Sequence, residues 1–152
     1  MKNYWHYNSK PITCLEDLPD CENLYGFVYR IQNKNTGKFY IGKKAIQHSF
    51  KRKISARDKK KLGTRKKYQY VLKESDWFNY WGSSKDLLDD LKLVGHDQYK
   101  RIIIELCYTK KYLSFAEIEW QIKEDVLRRE TYNGNVMGKF YRRDLENKKR
   151  RE

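Results

Sequence analysis

The stretch Tyr25-Gly26-Phe27-Val28-Tyr29-Arg30-Ile31, with Lys38-Phe39-Tyr40-Ile41-Gly42-Lys43-Lys44 a short turn later, decides the fold. Alternation in the first run puts Phe27, Tyr29 and Ile31 on one face and Val28 and Arg30 on the other, which is the period of a strand. Between the runs, Asn33 to Gly37 supplies asparagine and glycine, residues that tolerate left-handed backbone angles. The second run is again aromatic and β-branched, so the two predict an antiparallel hairpin. Tyr29 and Tyr40 then stand on one hairpin, where aromatic cross-strand pairs stabilise by roughly 0.2 to 1 kcal/mol.

Further along, Ser83-Ser84 precede Leu87, Leu88, Leu91 and Val94, with Gly95 beyond, predicting a short capped helix. Tyr99 to Tyr108 contains Ile102-Ile103-Ile104, whose β-branching favours a strand in the sheet interior. Ser114 to Arg129 reads as the clearest helix, with Phe115, Ile118, Ile122 and Val126 on one stripe and Glu117, Trp120 and Glu124 nearly opposite. The expected architecture is α/β (α+β): a small antiparallel sheet of about three strands flanked by helices.

Around this unit the pattern weakens. Residues 1–24, with Pro11 and Pro19 and no sustained period, read as an irregular arm, and the domain is placed at residues 25–138. A basic insertion at about 48–76 interrupts it. Within that insertion Lys51 to Lys67 holds ten Lys or Arg in seventeen residues against the single acid Asp58, with little apolar content, and reads as a mobile loop. Trp77, Tyr80 and Trp81 follow as core aromatics or base-stacking groups. Residues 139–152 read as a basic tail.

A formal net charge of +14 over 152 residues draws in polyanions, and nucleic acid is the expected partner. No apolar span, amphipathic basic helix or lipid-anchor motif points to a membrane. The polar amino terminus lacks the apolar region of a secretory signal, so a cytoplasmic location is expected. Cys14, Cys21 and Cys107 are odd in number and scattered, as reduced thiols are. His6, His48 and His96 lack ligand spacing, and no serine sits in an elbow motif.

The string Gly26-Phe27-Val28-Tyr29, followed eleven residues after Tyr29 by Tyr40-Ile41-Gly42, resembles the GIY-YIG nuclease family. The second half is a literal Y-I-G, while the first departs from G-I-Y by one inserted residue. The order of later elements through Tyr132-Asn133 is similar to phage intron-encoded, homing-type members. The resemblance implies an endonuclease hydrolysing DNA with Mg²⁺, for which Mn²⁺ substitutes. It gives Tyr29 the role of positioning or deprotonating the attacking water, matches Tyr40 to the second motif tyrosine, Glu117 to the metal-binding glutamate and Asn133 to the late asparagine. Gly42 matches the motif glycine, where a missing side chain lets backbone or phosphate come close.

A phenol with a reference pKa near ~10 needs neighbouring cations to act as a base at neutral pH, and Lys43 and Lys44 are placed to supply them. One carboxylate is enough for Mg²⁺, which keeps several waters. Glu119 and Glu124 are lesser candidates beside Glu117, whose competing use is a capping box with Ser114. Asn133 before Gly134 also suits a plain turn. The family arginine falls about eight residues after the motif glycine, where this chain has Phe50. Arg52 is the first choice, with Arg57 and Arg65 as alternatives, each offering a bidentate grip on phosphate. Lys44, Lys51, Lys53, Arg57, Lys59, Lys60, Lys61, Arg65, Lys66 and Lys67 are expected on nucleic acid beside Gly42. The alternatives are a non-catalytic nucleic-acid-binding protein and an RNA nuclease on the same fold. With only residues 139–152 after the domain, site selection is expected to be weak. Oligomeric state, monomer or homodimer on DNA, is left open by the sequence.

Overall fold

A computed structural model describes residues 3–147. The predicted hairpin is its centre: β3 (Gly26–Asn33) pairs antiparallel with β4 (Phe39–Ala45), Tyr29 opposite Gly42 and Ile31 opposite Tyr40. The Asn33 side chain shapes the turn by accepting the backbone N–H groups of Asn35 and Thr36 at 2.9 and 3.1 Å. On its other side β3 pairs antiparallel with β7 (Tyr99–Cys107), as the isoleucine run predicts, with a register shift at Val28/Tyr29.

The sheet is larger than three strands, and the irregular arm is the reason. Trp5–Tyr7 (β1) runs parallel to β7, and Lys10–Ile12 (β2) folds back on it, giving the mixed order β2-β1-β7-β3-β4. Three-residue strands are too short to show a period in sequence. The sheet accepts them because Trp5 is fully buried beside Phe27 and Tyr29, and its indole N–H donates to the Trp77 carbonyl at 2.8 Å.

Each sheet face carries its own core. Phe27, Tyr29 and Ile31 join Trp5, Trp77 and, from α2 (Lys85–Val94), Leu87 and Leu91. Val28, Phe39 and Ile41 join Leu113 and Ala116 of α3 (Lys110–Lys123). Ser84 caps α2 by accepting from the Leu87 N–H, and Gly95 ends it, as predicted.

Two other expectations change. The insertion forms a two-stranded antiparallel ribbon, β5 (Gln47–Lys53) with β6 (Tyr68–Glu74), and carries α1 (Ala56–Leu62) at its tip in place of a mobile loop. The alternation that pairs it lies in Tyr68-Gln69-Tyr70-Val71-Leu72, just past the lysines that dominate its composition. Helix α3 begins at the Thr109 cap and ends at Lys123, so Val126 lies beyond it. Its inward face runs Leu113, Ala116, Glu117, Trp120, Gln121, leaving Phe115 58% and Ile122 66% exposed. Helical spacing allows both stripes, and the more polar one turns inward because Glu117 and Gln121 have partners there.

The remaining elements close the sheet edge. Thr131 forms a parallel bridge to Phe39, and a small hairpin, β8 (Asn135–Val136) with β9 (Phe140–Tyr141), leads into a turn at Arg142–Leu145. The Arg142 guanidinium donates to the carbonyls of Leu127, Arg129 and Asn133 at 2.7, 2.9 and 3.2 Å, so part of the predicted basic tail is structural. Residues 148–152 of that tail lie outside the described residues. Among the described residues no helix is long and apolar enough to cross a membrane, and all three cysteines are free.

Candidate active site

Strand β4 is the sheet's edge, so its two faces open to one place. Tyr40 and Gly42 lie on the face of Tyr29, while Ile41 and Lys43 turn toward α3. A cavity of about 470 Å³ sits along this edge, with Tyr40, Ser83, Asp86, Glu117, Gln121 and Asn133 among its walls. Tyr40 and Glu117 therefore come from opposite sides of the sheet to one cavity.

Tyr29 does not reach the cavity wall. Its ring is sealed among Trp5, Tyr40 and Tyr80, with centroids 5.3, 6.1 and 6.0 Å away. Burial first, then the Tyr40 and Tyr80 phenols, hold its pKa well above the ordinary phenol value. A Cβ on Gly42 would stand 2.5 Å from the Tyr29 hydroxyl and 2.8 Å from Tyr40 Cε1, so only glycine allows the two phenols to pack on this strand. Gly82, at φ +91°, brings the chain past the same hydroxyl from the other side.

Tyr40 is half-buried, and its hydroxyl lies 3.4 Å from Ser83 Oγ. Burial first, and further the Glu117 charge and the Tyr80 phenol, hold its pKa above the ordinary phenol value, while hydrogen bonding with Ser83 and Tyr29 offsets only part of that rise. Glu117 is a half-buried carboxylate whose pKa burial raises, opposed by the charge and the backbone N–H of Lys43. No capping box engages it, because Thr109 and not Ser114 caps α3. Ser114 instead accepts from Lys43 Nζ at 3.0 Å. Among the described residues no cluster of three or more His, Cys, Asp or Glu gathers, so Glu117 and Asp86 are the carboxylates this cavity offers a cation.

Asn133 is committed to the backbone. Its amide donates to the Ile41 carbonyl at 2.8 Å and accepts the Ile41 N–H at 3.0 Å, as a neighbouring strand would. Gln121 donates to the same carbonyl at 3.0 Å. Together they fix the edge strand between Tyr40 and Gly42.

Other sequence candidates lie elsewhere. Lys44 turns away to pair with Asp76 at 2.6 Å, over the Tyr80 ring. Arg52, on β5, and Arg57, on α1, are exposed on the ribbon, as is Arg65, and among the described residues lining the cavity there is no arginine. Glu124 pairs with Arg30 and Arg129. Trp77 is core, and Trp81 packs on Arg101 and His96. Gln121 and Asp86 were not legible in the sequence as site residues, while Tyr80, read there as a core or base-stacking aromatic, packs on Tyr29. Gln121 had a signal, since it stands one helical turn after Glu117.

The chain matches the family model described as "Putative endonuclease segE, GIY-YIG domain" over residues 5–144. Neither the curated proteins nor the solved structures compared with it gave a match. The match takes in β1, β2 and Arg142 as well as the hairpin, so the strands that seal Tyr29 and the arginine that holds the Asn133 loop fall within the family's span. With the paired tyrosines, the edge cavity and Glu117 on one frame, the chain belongs to the GIY-YIG endonuclease family, phosphodiester hydrolases of the segE type.

Proposed function

We propose that this nuclease hydrolyses DNA with the help of Mg²⁺ or Mn²⁺, and that it is a phage or mobile-element enzyme of the homing type. The observation that carries the metal reading is the Glu117 carboxylate, half-buried at the cavity wall and free of any cap. Burying an acid there, offset only in part by the charge and backbone N–H of Lys43, costs stability, which suits a group awaiting a cation. A hard divalent ion takes oxygen ligands and retains water, so Glu117, with Asp86 nearby on the wall, is a fitting donor set. When bound, such an ion supplies positive charge against the phosphate and the leaving oxygen.

The residues of the chain divide the remaining work. Tyr40 orients the attacking water at the cavity wall. Tyr29, kept neutral by burial, is a positioning residue: its hydrogen bond favours the ionised form of Tyr40. Lys43 brings an ammonium to the phosphate. Asn133 and Gln121 keep β4 in register beneath them. An arginine of the insertion, Arg52 before Arg57 or Arg65, grips the scissile phosphate once DNA lies against the ribbon.

A nicking assay on supercoiled DNA at low salt tests this reading. Wild type should cut with Mg²⁺ or Mn²⁺ and stop with chelator, and Glu117→Gln should lose roughly 10²-fold or more in rate. Cleavage that persists undiminished in Glu117→Gln removes the metal role. Faster cutting of an RNA duplex than of DNA makes the substrate RNA, and no cutting of either leaves a binding protein.

A further inference from the structure

The ribbon is more than a carrier of charge. Residues 47–74 hold eleven Lys or Arg against the two acids Asp58 and Glu74, a large share of the chain's net charge of +14. Cross-strand register places Leu72, Tyr70 and Tyr68 on one face, opposite Ser49, Lys51 and Lys53. Tyr70 is 77% and Leu72 70% exposed on this face. The Lys51 ammonium lies 4.5 Å from the centre of the Tyr68 ring. The ribbon grows directly from the site's strand: β5 follows β4, and Ser75 ties its base back through bonds to the Ala45 and Ile46 carbonyls.

Resting on the reading of the substrate as DNA, we infer that this face enters the major groove and gives the nuclease its choice of site. Seven-residue strands span roughly 24 Å at ~3.4 Å per residue. A two-stranded ribbon fits a major groove about 12 Å wide. Inside it, Tyr70 and Leu72 present apolar surface to thymine methyl groups, and Lys51 and Lys53 present donors to guanine O6 and N7. The lysines of α1, Lys59, Lys60 and Lys61, stay on the phosphates, which set affinity without reading sequence. A second copy of the chain is a poor occupant, because pairing two such faces would oppose like charges across a low-dielectric interface.

The experiment measures binding of the full chain, in a Glu117→Gln background, to a pool of random duplexes. The parent should favour its best duplexes by roughly ten- to a hundred-fold. Tyr70→Ala/Leu72→Ala should flatten that preference while leaving the salt dependence of binding intact. Lys59→Ala/Lys60→Ala/Lys61→Ala should weaken all duplexes alike and reduce the log–log salt slope by about 0.9 for each phosphate no longer neutralised. Replacing thymine by uracil in a preferred duplex removes the methyl groups without touching the protein, and should weaken the parent severalfold but not the double variant. The inference is overturned if the parent shows no preference, if the double variant keeps it, if single strands bind more tightly than duplex, or if the ribbon mediates self-association. A chain that cuts DNA without preference sinks this inference alone, whereas one that neither binds nor cuts duplex DNA removes the substrate reading as well.

Discussion

At the scale of single residues, the role proposed for Glu117 sets stability against chemistry at one carboxylate. Burial raises its pKa, so the folded chain holds this proton more tightly than the unfolded chain does. Its favourable contribution to folding is therefore complete below the unfolded glutamate value, fades as pH rises through the folded value, and is gone above it. Glu117→Gln should consequently melt no lower than wild type at pH 7 to 8 while losing activity, which a thermal scan beside the nicking assay would show. Lys43 opposes the effect of burial on Glu117. Lys43→Met removes that charge, and the acidic limb of the pH–rate profile should move to higher pH. A limb that stays in place would detach Lys43 from Glu117. The sequence showed both residues but not their link, because Lys43 lies on β4 and Glu117 on α3. It also offered Glu117 a capping box that vanished once the helix began at Thr109, five residues earlier than Ser114.

At the scale of elements, an edge strand carries the tyrosine and is held by side chains where a neighbouring strand would be. Asn133 and Gln121 supply three hydrogen bonds to Ile41. Asn133→Ala leaves the Ile41 N–H buried without a partner, at a cost of roughly 1 to 3 kcal/mol. Asn133→Asp, nearly the same shape, keeps an acceptor for that N–H but turns its second oxygen onto the Ile41 carbonyl, so it should rescue little. Urea unfolding should find both variants weakened, and single-turnover cleavage should find the rate lowered more than nucleic-acid affinity. Loss of affinity with an unchanged rate would place Asn133 on the substrate instead. Strands β3, β4 and β7 and helix α2 were legible in sequence because each had a clear period and punctuation. Helix α3 was legible as a helix but not in its rotation, since its inward face includes a carboxylate and an amide that only the cavity explains. The ribbon was hidden by its own composition: lysines suggest a solvated loop, and the pairing signal sits in a different segment.

At the scale of the whole molecule, the amino-terminal strands β1 and β2 and the Arg142 turn pack on the sheet from distant parts of the sequence and converge on the site. Parallel pairing of β1 with β7 brings together residues nearly a hundred positions apart, a relation no local pattern announces. Trp5 is its anchor: it meets Phe27 and Tyr29 edge-on and donates to the Trp77 carbonyl. Trp5→Ala removes a fully buried indole and leaves that carbonyl without its donor, so the loss should be about 3 to 5 kcal/mol. Because the same ring walls in Tyr29, damage should extend beyond stability. At temperatures where the variant remains folded, Tyr29 regains access to water, its support of Tyr40 loosens, and cleavage should slow by more than the unfolded fraction accounts for. Trp5→Phe, which keeps aromatic packing but not the indole donor, should recover most of the rate and only part of the stability. If Trp5→Ala cleaves at the wild-type rate once corrected for unfolded chain, the amino-terminal strands serve the fold alone and the positioning of Tyr29 rests on β3, Gly42 and Tyr80.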